Sequence, residues 1–154
     1  MNTSNPCATK KPKHFIDIGV RVRSTGTPTT DFDLVKLGGV GDVTPGPNGP
    51  GQFIDLSEVS GKVMMNFILQ DALGLRFKAD PHECMGIRHA EHGCPESALN
   101  DHKRMFNRVS VSHSGDQLTV KNLNLGGRIY RFALFMVDQH DNLVAYCDPR
   151  IINK

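Results

Sequence analysis

The chain has 154 residues, of which 38% are hydrophobic and 22% are charged, and its formal net charge is +2. This composition is that of an ordinary globular protein, which excludes disorder over most of the length, and the length suits one domain. A net charge this small excludes a general attraction of the whole molecule to nucleic acid or to an anionic membrane. We therefore predict one domain that binds neither of these partners.

The domain is predicted to span residues 15–154, after a flexible polar leader at residues 1–14. The leader has no apolar stretch of the kind found in secretory signals, and no later segment approaches the roughly 20 apolar residues of a membrane-spanning helix. These features predict a cytoplasmic protein. In that compartment all four cysteines are expected to be reduced thiols: Cys7, Cys84, Cys94 and Cys147.

Strand-like alternation begins directly after the leader. The segment FIDIGVRV, from Phe15 to Val22, alternates polar or small residues with Ile and Val and predicts the first strand. Residues 24–33 are rich in turn formers. Residues 38–51 are so rich in glycine and proline that we predict a long loop there.

The middle of the chain is predicted to contain two paired strands. Alternate residues from Val63 to Leu69 are apolar and share one face of the first strand. Leu75 and Phe77 follow beyond a turn near Gly74 and are assigned to the second.

The C-terminal third gives the clearest pattern. Four β-rich segments between Arg104 and Asn153 are separated by turn signals at about twelve-residue intervals: Ser114-Gly115, Gly126-Gly127 and Asp141-Asn142. Regular spacing of this kind is typical of antiparallel sandwiches. We therefore predict an all-β, immunoglobulin-like antiparallel sandwich of seven to nine strands. Asp138, Asp141 and Asn142 resemble part of a calcium loop, but the twelve-residue pattern is absent and a polar hairpin turn accounts for them.

Three histidines and two cysteines crowd into HECMGIRHAEHGC, residues 82–94. Thiolates and imidazoles are the usual ligands of zinc, so one set of candidate metal ligands is Cys84, His89, His92 and Cys94, with His82 as a substitute. Their spacing, C-x4-H-x2-H-x-C, matches none of the familiar zinc motifs.

Two other interpretations of residues 82–94 need no metal. A disulfide between Cys84 and Cys94 would close an eleven-residue loop. Alternatively, the segment is an exposed, metal-free loop with both thiols reduced, part of an irregular excursion at residues 82–102. We expect this last arrangement, because Gly86, Gly93 and Pro95 interrupt any regular element that could preorganise ligands. Cys147, in an alternating segment, is expected to be a buried apolar thiol.

Two C-terminal features carry a resemblance to known families. Tyr130 follows a glycine turn at the start of an alternating strand, which resembles the tyrosine corner of immunoglobulin-like sandwiches. The ending NLVAYCDPRIIN, with Asp148-Pro149, is similar to the last strand of small bacterial β-sandwich proteins of the family named for its Asp-Pro and Glu-Pro motifs, and more distantly of the inclusion-body protein family. The resemblance implies a sandwich fold and self-association, and no catalytic residues.

The leading functional hypothesis is therefore a noncatalytic structural or interaction module without a cofactor. Such a module would use sheet edges or loops to form a homo-oligomer or to bind a protein partner. The alternative is a metal-binding protein, either without activity or an enzyme, that uses zinc held by residues 82–94.

Overall fold

The computed structural model describes residues 14–24, 30–44, 52–70, 74–95, 98 and 104–154. These residues form ten β-strands and two short 3-10 turns: β1 (Phe15–Ser24), β2 (Thr30–Gly39), β3 (Asp42–Thr44), β4 (Phe53–Asp55), β5 (Val63–Gln70), a 3-10 turn (Pro81–Glu83), β6 (Met85–His89), a second 3-10 turn (Ala90–His92), β7 (Phe106–Val111), β8 (Gln117–Asn122), β9 (Ile129–Val137) and β10 (Leu143–Ile152). The leader at residues 1–13 lies outside the described residues.

The ten strands form two five-stranded sheets. The first sheet has the order β2-β1-β5-β8-β7, and the second has the order β3-β4-β10-β9-β6. Both sheets are mixed, because β1 pairs in parallel with β5 and β10 pairs in parallel with β4. The all-β fold is confirmed, whereas purely antiparallel pairing and a count of seven to nine strands were wrong. The immunoglobulin-like topology stays a prediction.

The predicted alternation produces the inner face of the first sheet. Ile16, Ile18 and Val20 of β1 are fully buried, and β5 alternates buried and half-buried residues from Val63 to Gln70. Because successive side chains of a strand point to opposite faces, one set of each strand lies in the core. Both strand predictions are confirmed.

The core lies between the two sheets. Phe67 of the first sheet contacts Phe132 of the second with ring centroids 5.5 Å apart. Phe106, Met65, Ile54 and other fully buried side chains of both sheets belong to the same apolar cluster. Burial of this cluster is the main favourable term in folding, at about 25 cal/mol for each Å² of apolar surface. The molecule is therefore a sandwich of two packed layers.

Each C-terminal segment forms a strand, β7 to β10, as predicted. The β9–β10 connection shows why the sequence specifies a turn there. The Asp138 carboxylate accepts hydrogen bonds from the backbone N–H groups of His140 (2.8 Å) and Asn142 (2.9 Å), and Asp141 adopts a left-handed conformation with φ of 62°. These bonds hold the pKa of the Asp138 carboxyl below its ordinary value, first through the backbone N–H of Asn142. The hairpin-turn interpretation is confirmed.

Three predictions about the first half were wrong in part. Residues 30–33 begin β2 and are not a turn. The predicted loop at 38–51 instead contains the end of β2 and all of β3, and its residues 45–51 lie outside the described residues. Leu75 and Phe77 flank an isolated bridge between Arg76 and Val137 and belong to no strand.

Gly39 explains how a glycine-rich stretch continues a strand. Its φ is +94°, and a Cβ atom there would lie 2.1 Å from the Phe15 carbonyl oxygen. Only glycine allows that conformation and that approach of backbone to backbone. At this residue the chain leaves the first sheet, and β3 then pairs with β4 in the second.

Buried asparagines join the two sheets at one end of the sandwich. Asn122 Nδ2 donates to Asn153 Oδ1 (2.8 Å), and Asn153 Nδ2 donates back to Asn122 Oδ1 (3.1 Å). Asn124 Nδ2 donates to the Val59 carbonyl oxygen (2.7 Å). Polar groups in a core are stable only when they are hydrogen-bonded, and this network meets that condition across the two layers.

None of the helical turns in the described part of the chain is long and apolar enough to cross a membrane.

Candidate functional site

Residues 82–94 form a strand between two turns, which overturns the prediction of an exposed loop. The first turn begins at Asp80, whose carboxylate accepts a hydrogen bond from the His82 backbone N–H (2.9 Å). β6 follows, and its Met85 and Ile87 side chains are fully buried. These two residues alternate as in any half-buried strand, but the polar residues around them obscured the pattern.

Cys84 lies at the start of β6, inside the core. Its side chain is 0% exposed, and Sγ lies 3.4 Å from the carbonyl oxygens of Lys78 and Asp80. Burial raises the pKa of the Cys84 thiol to about 11, and the nearby Glu83 carboxylate acts in the same direction. The thiol is free, as predicted, and its protonated state makes it a poor nucleophile and a poor metal ligand.

His89 lies at the opposite end of β6 in an aromatic cluster. Its ring stacks on Tyr130 with centroids 5.3 Å apart and meets the His92 ring edge to face at 5.9 Å. His92 is exposed and lies 3.7 Å from the Glu91 carboxylate. Tyr130 is buried, and burial raises the pKa of its phenol. The resemblance of Tyr130 to a tyrosine corner stays a prediction.

The structure therefore does not bring the four candidate zinc ligands together. Cys84 and His89 stand at the two ends of an extended strand, about 16 Å apart at the usual rise per residue. Zinc holds its ligands at about 2.0 to 2.3 Å, so one ion cannot bind both side chains. His82 lies on the turn before Cys84, at the end of β6 away from His89. In the described ranges, no three His, Cys, Asp or Glu side chains are placed to share a metal ion.

Cys94 takes part in a disulfide bond, so the prediction of a reduced thiol was wrong. Because Cys84 is free, the alternative bridge between Cys84 and Cys94 is also wrong. The side chain of the bonded partner lies outside the described residues. The side chain of Cys147 also lies outside them, so the predicted burial of Cys147 stays a prediction. A disulfide sulfur has no thiolate to offer zinc, which removes Cys94 from the ligand set.

A cleft of about 590 Å³ with a mixed polar and apolar lining opens at the end of the sandwich where β7 meets β8. Ser112, His113 and Ser114 line it, and Asp116 lies beside them. Both serine hydroxyls donate to the Asp116 carboxylate (2.7 and 2.8 Å), which lowers its pKa. A serine nucleophile needs its hydroxyl on a base such as histidine, and here the hydroxyls are used to close a turn.

The strand edges are the second candidate site, because the described strands leave each sheet open at both ends. Two edges are covered by side chains, the buried Gln52 and the half-buried Arg108. Gln52 accepts from the Leu34 N–H of β2 (2.7 Å) and donates to the Leu34 carbonyl oxygen (3.0 Å), as a neighbouring strand would. Arg108 donates to the carbonyl oxygen of Met85 in β6 (2.7 Å). Unpaired edges invite pairing with another chain, and these two side chains prevent it locally.

A row of three arginines on the outer face of the second sheet was not predicted from the sequence. Arg131 of β9 lies directly opposite Arg150 of β10 on one side and Arg88 of β6 on the other. All three side chains are half-buried. An arginine in the middle of an apolar strand was the sequence pattern that could have indicated the row. The alignment of three such strands, however, depends on pairing between distant parts of the chain.

No protein-family model matches the chain, and a search of curated proteins finds no match. The resemblance to the Asp-Pro and Glu-Pro family therefore stays a prediction.

Proposed function

We propose that the chain is a noncatalytic interaction module that pairs with a second copy, or with a protein partner, through the exposed edge of β7. The observation that supports this most directly is the state of that edge. β7 ends the first sheet and pairs only with β8 among the described strands. Its Asn107, Val109 and Ser110 side chains are exposed, Val109 to 46%.

The contrast with the other edges supports β7 as the interaction edge. β3 is only three residues long, and Gln52 and Arg108 occupy backbone groups of β2 and β6. Short strands and covering side chains are the usual protections of a monomeric sandwich. On β7, a bulge between Arg108 and Ser110 provides partial protection and leaves an exposed valine in place.

A second copy of the chain is the partner that this edge fits most simply. Two β7 edges related by a twofold axis would present the same backbone groups to each other, so one edge serves both subunits. The first sheet of one subunit would then continue into the first sheet of the other, and Val109 of each subunit would lose exposed area.

Sedimentation velocity over a wide concentration range tests this proposal with a Val109→Lys variant. A lysine on an edge strand blunts pairing, so we expect the dimer to weaken by roughly tenfold or more in Kd. Leu143→Lys is the matched control, because Leu143 is 64% exposed but lies on β10, an interior strand of the second sheet. The proposal would be contradicted if the wild-type chain stays monomeric at every concentration and captures no partner. An equal loss of dimer affinity in both variants would also contradict it.

The cytoplasmic location also stays a prediction, and the Cys94 disulfide weighs against it. Disulfides persist in oxidising compartments and are rare in the cytosol. Cells lysed directly into an alkylating reagent preserve the thiol state. Alkylated Cys94 would support the cytoplasmic location, and a protected Cys94 would support an oxidising one.

The proposed module needs no cofactor, and elemental analysis tests the zinc alternative. Protein purified without an affinity tag would contain about one zinc per chain if residues 82–94 bound the metal. Loss of that zinc in a His92→Ala variant would support the alternative function, since His92 is exposed and its removal leaves the core intact.

A further inference from the structure

The arginine row crosses three adjacent strands. Residues that face each other in a sheet point to the same side, so Arg88, Arg131 and Arg150 share the outer face of the second sheet. Neighbouring strands lie about 4.8 Å apart, and the row therefore spans about 10 Å. Phe53 of β4 extends it, and the Arg150 guanidinium carbon lies 5.7 Å from the centre of the Phe53 ring.

None of the three arginines has an ion-pair partner within 4.0 Å in the described part of the chain. Asp55, the next residue of β4 on the same face as Phe53, uses a carboxylate oxygen to accept from the Ser57 hydroxyl (2.6 Å) and N–H (3.0 Å). Like charges directly opposite each other destabilise a sheet, so this arrangement carries an electrostatic cost.

Two nitrogen atoms of the row also lack hydrogen-bond partners. The Nε atoms of Arg131 and Arg150 are buried and make no hydrogen bond. Buried donors are nearly always satisfied in folded proteins, and an unsatisfied one calls for an explanation such as a bound ion. These atoms belong to Arg131, at the centre of the row, and to Arg150, at its β10 end.

We propose that Arg88, Arg131 and Arg150 form a binding site for a ligand that carries at least two phosphate or sulfate groups. This site lies on a different sheet from the β7 edge and does not depend on the proposed self-association.

The side chains indicate this class of ligand. The planar guanidinium group donates two parallel hydrogen bonds to an oxyanion, which a lysine ammonium does not. Three such groups along about 10 Å are more than one phosphate can contact. They fit a ligand in which two or more oxyanion groups are linked in a row. A single carboxylate would neutralise only one of the three charges.

Isothermal titration with tripolyphosphate tests the site, and a sulfated oligosaccharide of similar charge distinguishes a phosphate source from a sulfate source. We expect one of these two probes to bind more tightly than inorganic phosphate, with an affinity that falls as salt increases. Arg131→Gln should weaken binding by roughly tenfold or more, because it removes the central fork. Arg131→Lys keeps the charge and should recover part of the affinity.

Arg21→Gln is the matched control, because Arg21 is exposed on β1 of the other sheet. Equal loss of affinity in Arg21→Gln and Arg131→Gln would show only nonspecific charge attraction and would overturn the site. So would unchanged binding in Arg131→Gln.

A thermal scan without ligand completes the test. The site predicts that Arg131→Gln unfolds at the same temperature as the wild type or higher, because like-charge repulsion is relieved. A sharp fall in Tm would show that the row is paired within the chain, against the proposal. Arg88→Gln, at the end of the row, should also weaken binding and gives an independent readout of the site.

Discussion

At the scale of single residues, the side chains that join the two sheets include buried polar ones. The Asn122–Asn153 pair places two amides face to face in the core. Each amide bonds to the other, so removal of one leaves a buried donor and a buried acceptor of the other without partners. Once one amide is removed, removal of the second therefore costs less than it does in the intact pair.

Asn153→Ala should lower the free energy of unfolding by about 2 to 3 kcal/mol, the cost of unsatisfied buried amide groups. Urea denaturation measures this change. The double variant Asn122→Ala/Asn153→Ala should cost less than the sum of the two single changes. Asn107→Ala, at an exposed position of β7, is the control and should have little effect. Strict additivity of the two core changes would contradict the reciprocal pairing.

The Cys84 thiol should make stability fall at alkaline pH. Its folded pKa, about 11, is above its ordinary value of 9.0 because of burial. The unfolded chain therefore loses this proton first as pH rises, so the thiol's contribution is complete below about pH 9 and is lost between pH 9 and 11. That loss amounts to about 2 kcal/mol.

Comparison with a Cys84→Ala variant isolates this effect from other groups that titrate at alkaline pH. The difference in unfolding free energy between wild type and variant should shrink as pH rises from about 9 to about 11. Native Cys84 should also resist a thiol reagent at pH 8 and react after unfolding. Rapid labelling of the native protein would show that the thiol is accessible.

At the scale of elements, edge protection depends on one glutamine. Gln52 forms two hydrogen bonds with Leu34 of β2, donates to the Asp33 carboxylate (2.9 Å) and accepts from the Tyr146 hydroxyl (2.9 Å). It is 6% exposed. Its amide therefore stands where a further strand would pair with β2.

Gln52→Ala should lower the free energy of unfolding by about 2 to 3 kcal/mol, because the buried backbone N–H and carbonyl groups of Leu34 lose their partner. It should also increase light scattering on heating, since the β2 edge becomes open to other chains. Ser57→Ala is the control, because Ser57 is exposed and bonds only within its own turn. Unchanged aggregation in Gln52→Ala would show that the edge is protected by other means.

Sequence periodicity predicted strands wherever one face is buried along the whole element. This held for β1, β5 and the four C-terminal strands. It did not hold for β6, where His and Arg occupy the outer positions and conceal Met85 and Ile87. Nor did it hold at Gly38 and Gly39, which continue β2; at Gly39 the backbone conformation and the approach of the Phe15 carbonyl oxygen require glycine.

The candidate site was predictable only at the level of residue type. Sequence identified the cysteines and histidines of residues 82–94, but their arrangement follows from an extended strand that separates Cys84 from His89. The bond at Cys94 and the alignment of Arg88, Arg131 and Arg150 depend on contacts between distant parts of the chain, which local patterns do not encode.

At the scale of the whole molecule, a disulfide at Cys94 ties the segment after β6 to another part of the chain. Peptide mapping without reductant should find Cys94 in a disulfide and Cys84 as a free thiol. Reduction should destabilise the protein by about 2 to 4 kcal/mol, the usual effect of removing such a cross-link. A cross-linked peptide that joins Cys84 to Cys94, or a reduced protein of unchanged Tm, would contradict this prediction.

The position of β10 has a consequence for biosynthesis. β10 lies in the middle of the second sheet, where Arg150 faces Phe53 of β4 on one side and Arg131 of β9 on the other. β4 is thus made early but pairs with a strand about a hundred residues later in the chain, and β3 pairs with β4 alone. The first sheet contains no residue beyond Asn122 and can form sooner, whereas the second waits until β10 has left the ribosome. During translation, the β3–β4 pair therefore remains without β10, and this interval is when a nascent chain is most exposed to pairing with other chains.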